Sequence, residues 1–166
     1  AYSLAMLLAE QLALDASGAK MQVFATDIDE RAITHGRNGV YPEAIITDVP
    51  PPRLRQYFAK EKNQHYRVRK EIREKVLFAK HSLLADPPCS QIDLIVCRNL
   101  LIYLDREVQR DILQMFHFAL RPGGYLFLGS SESADGCLDL FVPVDKRNRI
   151  FRVRAGSSTM RRAPTM

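Results

Sequence analysis

The sequence predicts an α/β chain built around a mostly parallel, doubly wound sheet, and three observations carry that reading. Short apolar runs alternate with segments of helical periodicity. One of those runs, Ile92-Asp-Leu-Ile-Val-Cys97, is almost continuously apolar, as a strand covered on both faces requires. Acidic or polar residues follow directly on the runs, at Asp27 and at Arg98-Asn99, where a doubly wound sheet binds its ligands.

Taken in order, Tyr2 to Asp15 places Leu4, Leu7, Leu8, Leu12 and Leu14 near one face at helical spacing, and Ser17-Gly18 breaks the pattern. A buried amphipathic helix is expected there. Met21 to Thr26 reads as a short buried strand. Asp27-Ile-Asp29-Glu30 then supplies an acidic turn and a cap for a helix ending near Gly39, which makes a βα unit. Pro50-Pro51-Pro52 opens a short helix to Phe58, because proline is tolerated in a first turn.

The next segment alternates Tyr66 and Val68 with Arg67 and Arg69, and Val76 and Phe78 belong to a second extended piece. A small antiparallel hairpin inserted over residues 41–77 is the expectation. Asp105 caps a long helix with Val108, Ile112, Met115, Phe116 and Leu120 at steps of three and four, and Pro122-Gly123-Gly124 ends it. Tyr125 to Leu128 is a further strand, and Arg149 to Arg154 a last one with the character of an edge. Residues 155–166, rich in Ser, Thr, Arg and Pro, read as a linker or frayed tail.

Bulk properties narrow the function classes. The chain has 166 residues, enough for one domain with a real core. Cys89, Cys97 and Cys137 form an odd set without a C-x-x-C pair, which points away from a disulfide framework or zinc site and towards a reducing, cytoplasmic setting. His35, His65, His81 and His117 make no ligand pattern. No apolar run nears the roughly 18 residues that span a bilayer, so no membrane insertion is expected. Between Arg53 and Lys80, ten Lys or Arg against three Glu give +7, while the remaining fourteen basic and sixteen acidic residues give −2. Such a stretch suits an acidic protein partner, nucleic acid, a membrane surface or plain solvation, and charge alone does not choose.

The candidate site follows from the sheet rule. Asp27 after the early strand, Ser82-Leu83 after Val76 to Lys80, and Arg98-Asn99 after the apolar run all sit where ligands bind. A short carboxylate such as Asp27 can accept two hydrogen bonds from ribose hydroxyls, and with Asp29 already available as the helix cap, ribose is the favoured use.

Five strings, taken together, resemble one family. Ala25-Thr-Asp-Ile-Asp29, Gly39-Val-Tyr41, Cys97-Arg-Asn-Leu-Leu-Ile-Tyr103, Leu120-Arg-Pro-Gly-Gly124 and Gly129-Ser-Ser-Glu132 look, in order and spacing, like the chemotaxis receptor glutamate methyltransferases, over roughly residues 1–154. The resemblance implies a Rossmann-like class I methyltransferase sheet and S-adenosylmethionine as cofactor, with S-adenosylhomocysteine as product. It implies that Asp27 holds the ribose, that Ser82 and Leu83 border the adenine, that Cys97 and Arg98 line the cofactor cleft, and that Tyr103 stands near the methyl group.

The implied reaction is attack of a receptor glutamate oxygen on the sulfonium methyl, giving a methyl ester. A glutamate with a pKa of about 4.3 is already an anion at neutral pH, so no general base is needed. Arg98 is then the candidate for orienting an acidic group and Tyr103 for shaping the methyl channel. The inserted hairpin would meet the receptor's cytoplasmic helices through Arg67 and Arg69. Its loop between Phe58 and Tyr66 looks short beside relatives that bind a receptor tail, which suggests a tether-independent enzyme.

The family's glycine-containing cofactor loop, the strand feeding it and a helical domain would precede Tyr2, so the resemblance implies a sheet incomplete at its N-terminus. A partial copy that binds cofactor poorly is therefore expected, and the tail suggests a fusion with signalling modules. Two other readings are open: a base amino methyltransferase, from the string Asp86-Pro87-Pro88-Cys89 and the basic stretch, and a non-catalytic cofactor-binding scaffold.

Overall fold

The structure is a computed structural model that describes residues 1–15, 18–87 and 89–154, and it divides into two units, residues 1–82 and 83 onward. The tail at 155–166 and Ser17 of the predicted breaker lie outside the described residues.

In the first unit, helix α1 (Tyr2–Leu14) leads to strand β1 (Val23–Asp27) and helix α2 (Glu30–Asn38). Local chemistry bounds α2 at both ends. The Asp29 carboxylate accepts from the Arg31 amide at 2.8 Å, and Gly39 takes the left-handed conformation, φ 60°, that closes helices without a Cβ penalty. Strand β2 (Val40–Tyr41), helix α3 (Pro51–Tyr57), strand β3 (Phe58–Lys60), strand β4 (Tyr66–Val68), helix α4 (Lys70–Arg73) and strand β5 (Val76–Lys80) follow.

Strand β5 runs parallel to β1, in register from Val23 opposite Val76 to Asp27 opposite Lys80. The inserted antiparallel sheet has the order β2-β4-β3. The hairpin partner of Tyr66–Val68 is thus Phe58–Lys60, while the extended piece at Val76 and Phe78, expected in the insertion, is a strand of the parallel pair. The polar and apolar alternation around Arg67 was equally compatible with either partner. Pairing was decided by the short 61–65 connection.

Tyr2, Ala5, Met6, Val23, Tyr57, Phe58, Val68, Ile72 and Val76 form this unit's core. The face that α1 buries differs from the expected leucine stripe: Tyr2, Ala5 and Met6 are inside, whereas Leu7 is 48% and Leu14 82% exposed. The helix is apolar nearly all round, so leucine spacing did not single out a face. Tyr2 decides it, because its hydroxyl donates to the Gly36 carbonyl at 2.8 Å and its ring tilts against Phe78 at 5.4 Å.

In the second unit, strand β6 (Ile92–Cys97) has the predicted bounds and pairs in parallel with β7 (Leu120–Leu128). Helix α5 (Arg106–Ala119) joins them and turns Ile112, Leu113, Met115 and Phe116 inward. Pro122-Gly123-Gly124 lies within β7 rather than ending the helix, and Gly124 is confined there, since a Cβ would stand 2.9 Å from the Arg121 carbonyl. Strand β8 (Phe141–Asp145) had no counterpart in the sequence reading, and β9 (Ile150–Val153), expected at an edge, lies between β7 and β8. Alternation with arginines suggested the edge, yet Phe151 and Val153 are buried beside Phe141 and Leu126.

Among the described residues, β1 has β5 as its only strand neighbour, and β6 has only β7. The apolar run of β6 is correspondingly half-exposed, not sheathed on both sides.

Candidate functional site

Asp27 is the last residue of β1, and its exposed carboxylate is fixed by one bond: Oδ1 accepts from the Asp29 amide at 2.9 Å. Its carbonyl accepts from the His81 amide at 3.1 Å, which ties the end of β1 to the chain leaving β5. Ser82 follows immediately, so the first unit brings Asp27 and Ser82 to the carboxyl end of one parallel strand pair. The exposed Asp27 carboxylate, pinned through one oxygen, can accept from the hydroxyl groups of a ligand at that strand end. Leu83, partly buried, packs on the core of the second unit.

Cys97 ends β6 and is buried. Burial, with the Glu132 carboxylate adding to it, pushes its thiol up to about 12, so Cys97 acts as a small apolar wall and not a nucleophile. Next to it the Arg98 guanidinium lies 5.0 Å from the centre of the Phe127 ring, a cation–π contact that orients the side chain while leaving its charge uncompensated. Among the described residues no carboxylate pairs with Arg98. Tyr103 ends the 3-10 turn Leu101–Tyr103 and is 78% exposed.

The residue that organises this end of the sheet is one that sequence reasoning passed over. Glu132 is 3% exposed and accepts four backbone N–H bonds. Oε1 takes the Leu100 and Leu101 amides at 2.8 and 2.7 Å, and Oε2 takes those of Asn99 and Gly129 at 3.0 and 2.6 Å. The turns after β6 and after β7 are thereby fastened together. Burial alone would raise the Glu132 pKa, but the four amides outweigh it and hold the carboxyl below the ordinary glutamate range.

The fit around that carboxylate constrains its neighbours. Asn99 sits at φ 58°, a left-handed conformation that asparagine tolerates. Gly129 has no alternative, because a Cβ would lie 2.6 Å from Glu132 Oε2 and 2.9 Å from the Asn99 nitrogen. From the other side Gln109 of α5 donates to the Leu101 and Leu104 carbonyls, both at 2.9 Å, bracing the turn that carries Tyr103. The string Gly129-Ser-Ser-Glu132 did contain the signal, an acid three residues past a glycine at a strand end, but three of its four partners lie more than thirty positions away.

The basic hairpin is less bare than its composition. Arg67 is ion-paired with Glu61 and donates to the Asn38 carbonyl at 3.1 Å, while Arg69 donates to the Arg55 carbonyl at 3.4 Å and is exposed. Arg53, Lys60, Lys70 and Lys80 pair with Glu10, Glu43, Glu74 and Glu30. Half of the ten cations are compensated locally, which counts against a continuous phosphate-binding stripe. Asp86 and Pro87 precede the amino end of β6, opposite in the strand to Arg98. No group of three or more His, Cys, Asp or Glu suited to a metal occurs among the described residues, and no helix there is long and apolar enough to cross a membrane.

Comparison with known proteins identifies relatives. Residues 1–150 match the family model described as CheR methyltransferase, SAM binding domain. The chain is 40% identical over 161 residues to an uncharacterized 104.1 kDa protein in the hypE 3' region of Rhodobacter capsulatus, covering 96% of this chain and 17% of that protein. It is 36% identical over 147 residues to the chemotaxis protein methyltransferase Cher2 of Pseudomonas putida, covering 86% and 54%. With the chemotaxis protein methyltransferase of Escherichia coli the identity is 37% over 137 residues, covering 80% and 47%. The chain thus spans about half the length of the latter two relatives. The solved N-methyltransferase NodS of Bradyrhizobium japonicum, in complex with S-adenosyl-L-homocysteine, aligns with a TM-score of 0.48 at 18% identity, covering 90% of this chain and 73% of that one.

Proposed function

The chain belongs to the CheR methyltransferase family, in which it corresponds to the SAM-binding domain, and from that premise we propose that it takes part in S-adenosylmethionine-dependent methylation of glutamate side chains on the cytoplasmic helices of chemotaxis receptors. Bound S-adenosylmethionine supplies an electrophilic methyl on a sulfonium and leaves as S-adenosylhomocysteine. Asp27 would accept from the ribose hydroxyls, Ser82 and Leu83 would border the adenine, and Cys97 with Arg98 would line the cofactor cleft.

The observation that carries the reading is the state of Arg98. It stands at the carboxyl end of a parallel strand, oriented by Phe127 and free of any described carboxylate, and so can draw in an acidic side chain. The glutamate to be methylated is an anion without help, so the reaction requires no acid–base dyad. What the protein supplies is alignment of that anion and removal of its water, with Tyr103 shaping the approach. Arg67 and Arg69 of the inserted sheet would meet the acidic receptor surface, Arg69 the more readily because Arg67 is shared with Glu61. A cytoplasmic setting follows from that substrate.

The test is mass spectrometry of receptor incubated with the full-length protein and S-adenosylmethionine. Gain of single methyl groups on receptor glutamates, reduced about tenfold or more by Arg98→Ala, is expected from loss of a charged hydrogen bond. Methylation of nucleic-acid bases, or of nothing, would reject the reading in favour of the base methyltransferase or the scaffold.

A further inference from the structure

The Arg98 turn is held by a group that the proposed chemistry does not itself use. Four amide donors converge on Glu132, three from the turn that begins at Arg98 and one from Gly129, which follows the strand bearing Phe127. Phe127 in turn carries the Arg98 guanidinium at 5.0 Å. Arg98 is therefore tied twice, by its side chain to Phe127 of β7 and by its following backbone to Glu132 in the turn after β7. Loosening either tie leaves the guanidinium with one fixed end.

We propose that Glu132 is a positioning residue for methyl transfer, its buried carboxylate setting where Arg98 meets the acidic substrate; this rests on the reading of Arg98 given above. The chemistry requires a carboxylate specifically. Each of its oxygens takes two N–H donors, whereas glutamine would offer one oxygen and turn an NH2 group against two of those donors. Substitution by glutamine thus removes two acceptor contacts and leaves buried N–H groups facing N–H groups. Aspartate keeps the charge and both oxygens but is one methylene shorter.

The experiment compares the full-length protein with Glu132→Gln and Glu132→Asp, reading amide hydrogen exchange and methyl-transfer kinetics on receptor. For Glu132→Gln, exchange at two or more of Asn99, Leu100, Leu101 and Gly129 should quicken about tenfold or more, and kcat should fall by a similar factor. The KM for S-adenosylmethionine should change less than kcat, because the ribose and adenine contacts assigned to Asp27 and Ser82 are untouched. Glu132→Asp should recover part of both losses.

Unchanged exchange at the four amides, or unchanged kcat with the amides freed, would overturn the proposal. If Glu132→Gln also loses protection at Leu126 and Phe151, the unit has unfolded, and Glu132→Asp alone decides: wild-type kcat with freed amides overturns, a graded loss supports. If the wild-type protein transfers no methyl to receptor glutamate, the functional reading fails, while the exchange arm still decides whether Glu132 fixes the turn.

Discussion

Phe78 lies over Gly36 so closely that a Cβ at position 36 would run into the ring's Cε1 and stand 2.7 Å from Cδ1. This contact seats α2 on β5, and the Arg37 guanidinium locks it by donating to the Phe78 carbonyl at 2.8 Å. Alanine in a helix interior is favoured over glycine by about 1 kcal/mol, but forcing a methyl into packed space costs about 1–3 kcal/mol. Gly36→Ala should therefore lower stability by about 1 kcal/mol, a fall of roughly 4–8 °C in Tm for a unit of this size. Thermal unfolding followed by circular dichroism measures it, and a raised Tm would show that Phe78 gives way freely.

Acid should act on the second unit through Glu132. A carboxyl whose folded pKa is depressed stabilises fully above its unfolded pKa, about 4.3, and loses that stability as pH falls through the lower folded value. The stability present at pH 7 is thus expected to be lost as pH drops below about 4 in the wild type, and that part of the pH dependence should vanish in Glu132→Gln. Equal acid sensitivity of the two proteins in urea titrations at pH 7 and pH 3.5 would assign the loss to other groups.

Thiol chemistry separates the cysteines. Cys97, buried and with its thiol near 12, holds almost no thiolate at pH 8, and burial also raises Cys137. Cys89 is exposed. Brief alkylation of the native protein with iodoacetamide at pH 8 should label Cys89 and spare Cys97 until denaturant is added, as read by peptide mass. Early labelling of Cys97 would mean that the end of β6 opens to solvent.

Much of this architecture is written in short stretches of sequence. The unit from Val23 to Gly39 was legible because each signal acts within four residues: the Asp29 cap on Arg31, the helix period, and the left-handed Gly39. Strand β6 was legible from its apolar run alone. What escaped reading depends on distant partners. Strand β8 is short and contains Pro143, and only pairing with β9 makes it a strand. The buried face of α1 was set by Tyr2 reaching Gly36, and Glu132 by amides that the fold delivers from residues 99–101. Of the proposed site, Asp27 and Arg98 were readable from strand ends, whereas the group that fastens the Arg98 turn was not.

Receptor contact through the inserted sheet makes a separable prediction. Arg67→Ala and Arg69→Ala together should weaken receptor methylation and leave S-adenosylmethionine binding unchanged, since neither residue stands at a strand end proposed to contact the cofactor. Calorimetric titration with cofactor and receptor methylation assays give the two readouts. Loss of cofactor affinity in the double variant would show that the sheet serves the cofactor, not the receptor.

The proposed reaction makes an ester on a carboxylate. Full-length protein is incubated with receptor and methyl-labelled S-adenosylmethionine, and the washed receptor is then treated with base. The label should leave as volatile methanol, as a carboxylate methyl ester must. Label that stays on the receptor or on nucleic acid through base treatment, or no incorporated label at all, would contradict it.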